Sequence, residues 1–158
     1  MSDDTSGPNL SPDERAALSS VLDEIIPRGA AGRLPGAGEA GIVAAIESAQ
    51  RRSPELRAAI DAGLSALGAL LEDRGVEDLS ALEEPTRLEV MNELATRAPT
   101  FVPGLVFHTY VAYYQHDDVV RALGLEARPP HPRGYALEEG DLSLLDPVRR
   151  RDPLFRRC

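Results

Sequence analysis

The chain has 158 residues, 42% of them hydrophobic, which is enough for one domain with a buried core. Its formal net charge of −9 argues against a nucleic-acid partner, because binding to a phosphate backbone requires a basic face. All 17 basic residues are arginines, which excludes a Schiff-base lysine and the lysine of a phosphate-binding P-loop. The single cysteine, Cys158, excludes an intrachain disulfide.

The first third of the chain predicts two helices joined by a glycine-rich loop. Residues 1–9 are polar and acidic, which is typical of a disordered lead. Ser11 and Glu14 match a capping box, so a first helix is expected to begin there and to end before Pro27. A second helix is predicted from about residue 38 to residue 52, on a spacing of apolar residues that suits a helix.

The middle of the chain predicts two more helices. Ser53 is the expected N-cap of the third helix, whose apolar positions keep a 3.6-residue period for four turns. Gly75 stands where a left-handed C-cap is expected. Pro85 begins a fourth helix. The apolar residues that we expect this helix to carry are Leu88, Met91 and Leu94.

A fifth helix is expected from Phe101 to about Gln115, and a short sixth helix is expected to be capped by Asp117 and closed at Gly124. No segment alternates with period two for long enough to predict a strand. The sequence therefore predicts an all-α, single-domain bundle of five or six helices over residues 10–124. Residues 125–158 are rich in proline and lack helical periodicity, so we expect an extended C-terminal arm.

Residues 36–41, GAGEAG, match the G-x-G-x-x-G fingerprint of dinucleotide-binding proteins, but their context does not. The fingerprint directly follows a buried strand, whereas the polar, glycine-rich segment PRGAAGRLP precedes it here. Glu39 would also place a carboxylate beside the phosphates. We therefore expect a turn that leads into a helix, and no nucleotide site.

Three histidines, His108, His116 and His131, are the acid/base candidates near neutral pH. On one helix His108 and His116 would lie about 12 Å apart along the axis, which is too far to share a metal ion. Helix packing explains His108, and capping explains the acidic Asp117 beside His116. We expect no catalytic residue and no metal site.

Five of the seven aromatic residues fall within residues 101–114. At 100° per residue, the large apolar side chains of this helix cover an arc of about 160°, wider than the roughly 100° that packing on one core requires. These residues are Val106, Phe107, Tyr110, Val111, Tyr113 and Tyr114. Part of the arc is therefore expected to face a partner, since tyrosine suits interfaces; the alternative is that all of it belongs to the core.

The end of the arm, RRRDPLFRR at residues 149–157, carries five arginines and one aspartate in an otherwise acidic chain. Guanidinium groups there are suited to pair with carboxylates of another chain, with Leu154 and Phe155 as apolar anchors. The alternatives are a solvated tail or an arm that packs on its own core. For Cys158 the choice is between a free thiol and an intermolecular disulfide.

Two segments carry a family resemblance. They are LDEIIPR at residues 22–28, followed by PGAGEAGI at residues 35–42, and YYQHDDVVRALGLEARPPHPRGY at residues 113–135. They resemble the gluconate 2-dehydrogenase subunit 3 family, and the similarity extends from about Ser11 to Tyr135. Members of this family are small, cofactor-free partners of flavin oxidoreductases.

The resemblance implies a non-catalytic small subunit that binds and stabilises, in a chaperone-like way, the FAD-containing large subunit of a glucose-methanol-choline (GMC) type sugar or alcohol oxidoreductase. FAD would then belong to the partner and not to this chain. The residues that we predict for the partner interface are Tyr110, Tyr113, Tyr114, Tyr135, Leu145, Arg149, Arg150, Leu154, Phe155 and Cys158.

Two other functions stay open at this point. The chain could be an independent helical module that binds a ligand or a protein, or a stand-alone enzyme, although no nucleophile–base pair supports the latter. The start of the chain lacks the basic and apolar regions of a secretory signal, and no apolar window is long enough for a membrane span. We therefore expect a cytoplasmic location, or export together with a signal-bearing partner.

Overall fold

The computed structural model describes residues 10–129, 131–135 and 139–151, and the prediction of an all-α fold is confirmed there. No strand occurs among these residues. The helices are α1 (Pro12–Ile25), α2 (Val43–Gln50), α3 (Pro54–Glu72), α4 (Glu84–Arg97), α5 (Phe101–Tyr113), α6 (Asp117–Ala122) and α7 (Asp146–Arg149), with 3-10 turns at Leu79–Ala81 and Leu142–Leu145. The predicted disordered lead, residues 1–9, lies outside the described residues.

The ends of α1 and α3 follow from local sequence. The backbone N–H of Glu14 donates to Ser11 Oγ at 3.2 Å, and the N–H of Ser11 donates back to Glu14 Oε2 at 2.7 Å, so the predicted capping box is present. Ser53 Oγ accepts from the N–H of Leu56 at the start of α3. Gly75 follows α3 with a φ of +67°, a conformation that favours glycine, so the predicted left-handed C-cap is confirmed.

Two predicted helix starts were wrong. The second helix begins at Val43 and not near Gly38, because Gly41 has a φ of +72° and interrupts helical geometry before it. In α6 the N-cap is His116, whose side chain makes no capping bond, and Asp117 lies in the first turn. There the carboxylate of Asp117 pairs with Arg121 one turn later, at 3.0 Å.

Helix α3 lies at the centre of the bundle and packs against α1, α2, α4 and α5. Its predicted apolar positions are buried, namely Leu56, Ile60, Leu64, Leu67 and Leu71. The start of α5 approaches α3 closely at Gly63, where a Cβ atom would lie 2.1 Å from Phe101 Cγ. Helix α4 carries the three predicted apolar residues, of which Leu94 is buried together with Val90, whereas Leu88 is 61% exposed.

The chain divides into two compact units, residues 1–127 and residues 128–158. The sequence predicted an extended arm. The described part of the second unit is instead extended only in places. Asp141 Oδ1 accepts from the N–H of Ser143 at 3.0 Å and caps the turn Leu142–Leu145, and α7 follows with Pro147 in its first turn. Two short helical segments therefore form within the arm.

Candidate partner interface

One side of α5 belongs to the core of the first unit. Phe101, Leu105, Thr109 and Tyr113 recur every four residues and are almost completely buried. Tyr113, one of the residues predicted for the partner interface, is 1% exposed and belongs to this inner side, not to the outward surface. The arc predicted from the sequence is therefore divided, with Tyr113 on the inner side.

The opposite side of α5 is apolar and exposed. Val106, Phe107, Tyr110, Val111 and Tyr114 form this surface, which we call the outer α5 face. Phe107 is 66% exposed and Tyr110 is 46% exposed, and the ring centroids of Tyr110 and Tyr114 lie 6.0 Å apart. A contiguous apolar surface of this kind, with aromatic rings that carry polar tips, is typical of protein–protein interfaces.

Phe107 is the most exposed side chain of this face, and it belonged to the predicted arc but not to the predicted set of interface residues. Its spacing of three and seven residues from Tyr110 and Tyr114 was the available signal, because side chains at these distances share one side of a helix. The rings of Phe107 and His108 also meet edge to face at 5.2 Å.

The inner side of α5 joins the two segments that carry the family resemblance. The hydroxyl of Tyr113 donates to the backbone carbonyl of Pro35 at 2.7 Å, across 78 residues of sequence. Burial raises the pKa of Tyr113, so the hydroxyl remains a donor throughout the neutral range. The end of α5 is thereby fixed against the glycine-rich loop before α2.

Packing against α1 explains the glycines of that loop. The N–H of Gly38 donates to Asp23 Oδ1 at 2.8 Å, and a Cβ at Gly36 would lie 2.1 Å from the same oxygen. A Cβ at Gly38 would lie 2.3 Å from the carbonyl oxygen of Ser19. The space that phosphates would need in a G-x-G-x-x-G loop is thus filled by α1 itself, and the motif serves helix packing.

The carboxylates around this loop have pKa values shifted in opposite directions. Burial raises the pKa of Asp23, although the N–H of Gly38 partly opposes the shift. Bonding to Arg28 lowers the pKa of Glu39, whose Oε1 accepts from Arg28 Nε at 3.0 Å. Both groups hold the loop in place, since Asp23 accepts from the N–H of Gly38 and Glu39 accepts from the N–H of Gly36.

The histidine candidates are dispersed. His108 lies beside an open groove of about 370 Å³ between α3 and α5, whose walls also include Leu56, Ala59 and Gly104. His116 is the N-cap of α6, and His131 belongs to the second unit. Over residues 10–129, 131–135 and 139–151, no three His, Cys, Asp or Glu side chains are grouped as a metal site would require.

The interface residues predicted in the arm are described only in part. Tyr135 donates from its hydroxyl to the carbonyl of Arg128, and the Arg128 guanidinium lies 4.9 Å from the centre of its ring. Leu145 is exposed, Arg149 pairs with Asp146 at 3.2 Å, and Arg150 is exposed. The other three predicted residues, Leu154, Phe155 and Cys158, lie outside the described residues.

Comparison with known proteins gives a family for this chain. The profile of the gluconate 2-dehydrogenase subunit 3 family matches residues 12–123, from the start of α1 to the end of α6. The chain belongs to this family. A search of curated proteins and a search of solved structures gave no match.

Family membership makes the chain an accessory subunit of a dehydrogenase complex. The family match covers the segment from residue 22 to residue 42 and the inner side of α5, the two regions that Tyr113 joins. It ends before the proline-rich segment up to Tyr135, which the resemblance had included. No helix in the described part of the chain is both long and apolar enough to cross a membrane.

Proposed function

We propose that this chain is the non-catalytic small subunit that binds and stabilises the FAD-containing large subunit of a GMC-type sugar or alcohol oxidoreductase. The outer α5 face is the surface that contacts the large subunit. FAD and the catalytic residues belong to the large subunit, and the cytoplasmic location expected from the sequence stays a prediction.

The observation that carries this proposal is the exposure of the outer α5 face in a member of a dehydrogenase-subunit family. Phe107, Tyr110 and Tyr114 expose a large apolar area to water. Burying this area against a partner is favourable by about 25 cal/mol per Å². Tyrosines lose little conformational entropy on binding and keep a hydroxyl for a hydrogen bond across the interface. The face is held by a core that already exists in the free chain, so binding requires no prior folding step.

The stabilising role follows from mass action. A subunit that binds the folded large subunit but not its unfolded chain raises the free energy of unfolding by about 2.7 kcal/mol at a free concentration 100 times Kd. No catalytic group of this chain is needed for that effect.

Gel filtration of the purified chain with the FAD-containing large subunit tests the proposal. We expect the two proteins to elute together with the flavin absorbance, and the melting temperature of the large subunit to rise as this chain is added. Separate elution together with an unchanged melting temperature at high micromolar concentration would contradict the proposed function.

A further inference from the structure

A second surface lies along α1 and has a different chemistry from the outer α5 face. Two open cavities, of about 830 Å³ and 500 Å³, share Ala16 and Asp78 in their walls. We call the two together the acidic trough. From Asp13 to Glu24 it follows α1 for about 16 Å, which is long enough for an extended segment of about five residues.

The described walls of the trough are strongly acidic. The carboxylates that line it are Asp13, Asp23, Glu24, Glu72, Glu77 and Asp78. Arg87 is the one arginine among these wall residues, and its Nε already bonds Glu24 Oε1 at 2.6 Å. Within the part of the chain that the structure describes, Asp13, Glu72 and Glu77 take part in no ion pair. The trough therefore retains a large negative charge.

Roles within the fold account for some of these carboxylates. Asp13 lies in the first turn of α1, Asp78 caps a 3-10 turn through the N–H of Ser80 at 2.7 Å, and Asp23 accepts from Gly38. Glu72 is different, because it is the last residue of α3, where the helix dipole disfavours a negative charge. Stability of the free chain does not explain Glu72, whereas a cationic ligand would.

Apolar and glycine residues line the larger cavity together with the carboxylates. They are Ala16, Ala17, Gly68, Leu71, Gly75 and Val76. Arginine and lysine have apolar stems and charged heads, so their side chains can contact these apolar residues while their charges meet the carboxylates of the same cavity. Charge and shape together therefore favour a cationic polypeptide segment.

We propose that the acidic trough docks an arginine- or lysine-bearing segment of the FAD-containing large subunit. This inference rests on the proposed function and adds a second contact of opposite character to the outer α5 face. The apolar face supplies buried area, and the trough supplies orientation and a faster, salt-dependent association.

The test is a titration of the large subunit with the unchanged chain and with Glu72→Gln/Glu77→Gln, at low and at high salt. Both side chains are exposed, and glutamine keeps their shape while it removes two charges. Glu83→Gln/Glu89→Gln is the matched control, since these exposed residues of α4 and its N-cap lie outside the described walls of the trough. Thermal unfolding checks that all three chains are folded.

We expect the trough variant to bind about tenfold more weakly at low salt and to lose much of the salt dependence, with the control within about twofold of the unchanged chain. Equal Kd values and equal salt dependence for the two variants would overturn the inference and leave the proposed function intact. If the unchanged chain does not bind the large subunit at all, the proposed function fails, and this inference fails with it.

A photoreactive residue in place of Glu77 identifies the occupant. We expect it to crosslink, in the complex, to a segment of the large subunit that contains arginine or lysine. A crosslink to a second copy of this chain, to the arm of the same chain, or to an acidic or uncharged segment would overturn the inference.

Discussion

Helices α3 and α5 pack against each other but use their apolar residues differently. In α3 the large apolar side chains point to the core, and Asp61 and Glu72 face water. In α5 apolar side chains occupy the inner side and the outer side alike. The core of the chain therefore buries all the large apolar side chains of α3 but only about half of those of α5. We expect a second protein to cover the exposed apolar side chains of the outer α5 face.

The inner side of α3 can be tested by removing Leu67, which is 0% exposed. We expect Leu67→Ala to lower the free energy of unfolding by about 2–5 kcal/mol, because the lost contacts leave a cavity that closes only partly. Urea unfolding followed by circular dichroism measures this change. A loss below about 1 kcal/mol would mean that α3 is not the centre of the core.

The contact between the two helices can be tested at two glycines of α3. Gly63→Ala would drive a methyl group into the Phe101 ring, and we expect a loss of about 1–3 kcal/mol in the free energy of unfolding. Gly68→Ala is the matched control, since no described atom lies within 4 Å of its Cβ position. That substitution should stabilise the chain by about 0.5–1 kcal/mol through helix propensity alone. Equal effects of the two substitutions would contradict the close approach of α5.

The inner side of α5 depends on the bond from Tyr113 to Pro35. We expect Tyr113→Phe to lower the free energy of unfolding by about 1 kcal/mol, because the carbonyl of Pro35 loses a buried donor. Tyr110→Phe removes a hydroxyl from the outer α5 face and should leave the stability of the free chain unchanged. Urea unfolding measures both changes, and an equal loss in the free energy of unfolding for the two variants would contradict a structural role for the bond from Tyr113 to Pro35.

The loop that receives Tyr113 predicts a smaller effect that depends on pH. The pKa of Asp23 is raised on folding, so its contribution to stability is present below pH 3.8 and is lost as the pH rises through the folded pKa. The pKa of Glu39 is lowered, so its contribution is present above pH 4.5 and is lost as the pH falls through the folded pKa.

Relative to the unchanged chain, Asp23→Asn should therefore gain stability as the pH rises from acid toward neutral. Glu39→Gln should lose stability over the same range. Urea unfolding at a series of pH values measures both differences. Slopes of the same sign for the two variants would refute the assignment of the two carboxylates.

Local features of the sequence were sufficient for much of the fold. The capping box at Ser11, the left-handed Gly75 and the period of α3 depend on neighbouring residues, and each of these predictions is confirmed. The start of α2 was misplaced because the conformation of Gly41 leaves no mark in the apolar pattern. The apolar pattern of α4 does not say which of its residues are buried, and Leu88 is exposed whereas Leu94 is not.

The site was harder to predict, because burial on α5 is decided by distant contacts. Tyr113 shares its arc with Tyr110 and Tyr114, and it faces inward because of contacts distant in sequence, among them the bond to Pro35, 78 residues away. The larger cavity of the acidic trough has the same origin, since α1, the end of α3 and the segment 75–78 form it together. Spacing along one helix cannot reveal a surface that three segments build.

The most direct test of the account compares Phe107→Ser with Leu88→Ser in binding to the FAD-containing large subunit. The two residues are 66% and 61% exposed on the surfaces of α5 and α4, so neither substitution should change the stability of the free chain by more than about 0.5 kcal/mol. We expect Phe107→Ser to raise Kd by about 30-fold, as loss of an interface hot spot does, and Leu88→Ser to change it by less than about twofold. Equal Kd values for the two variants would show that the large subunit does not bind the outer α5 face.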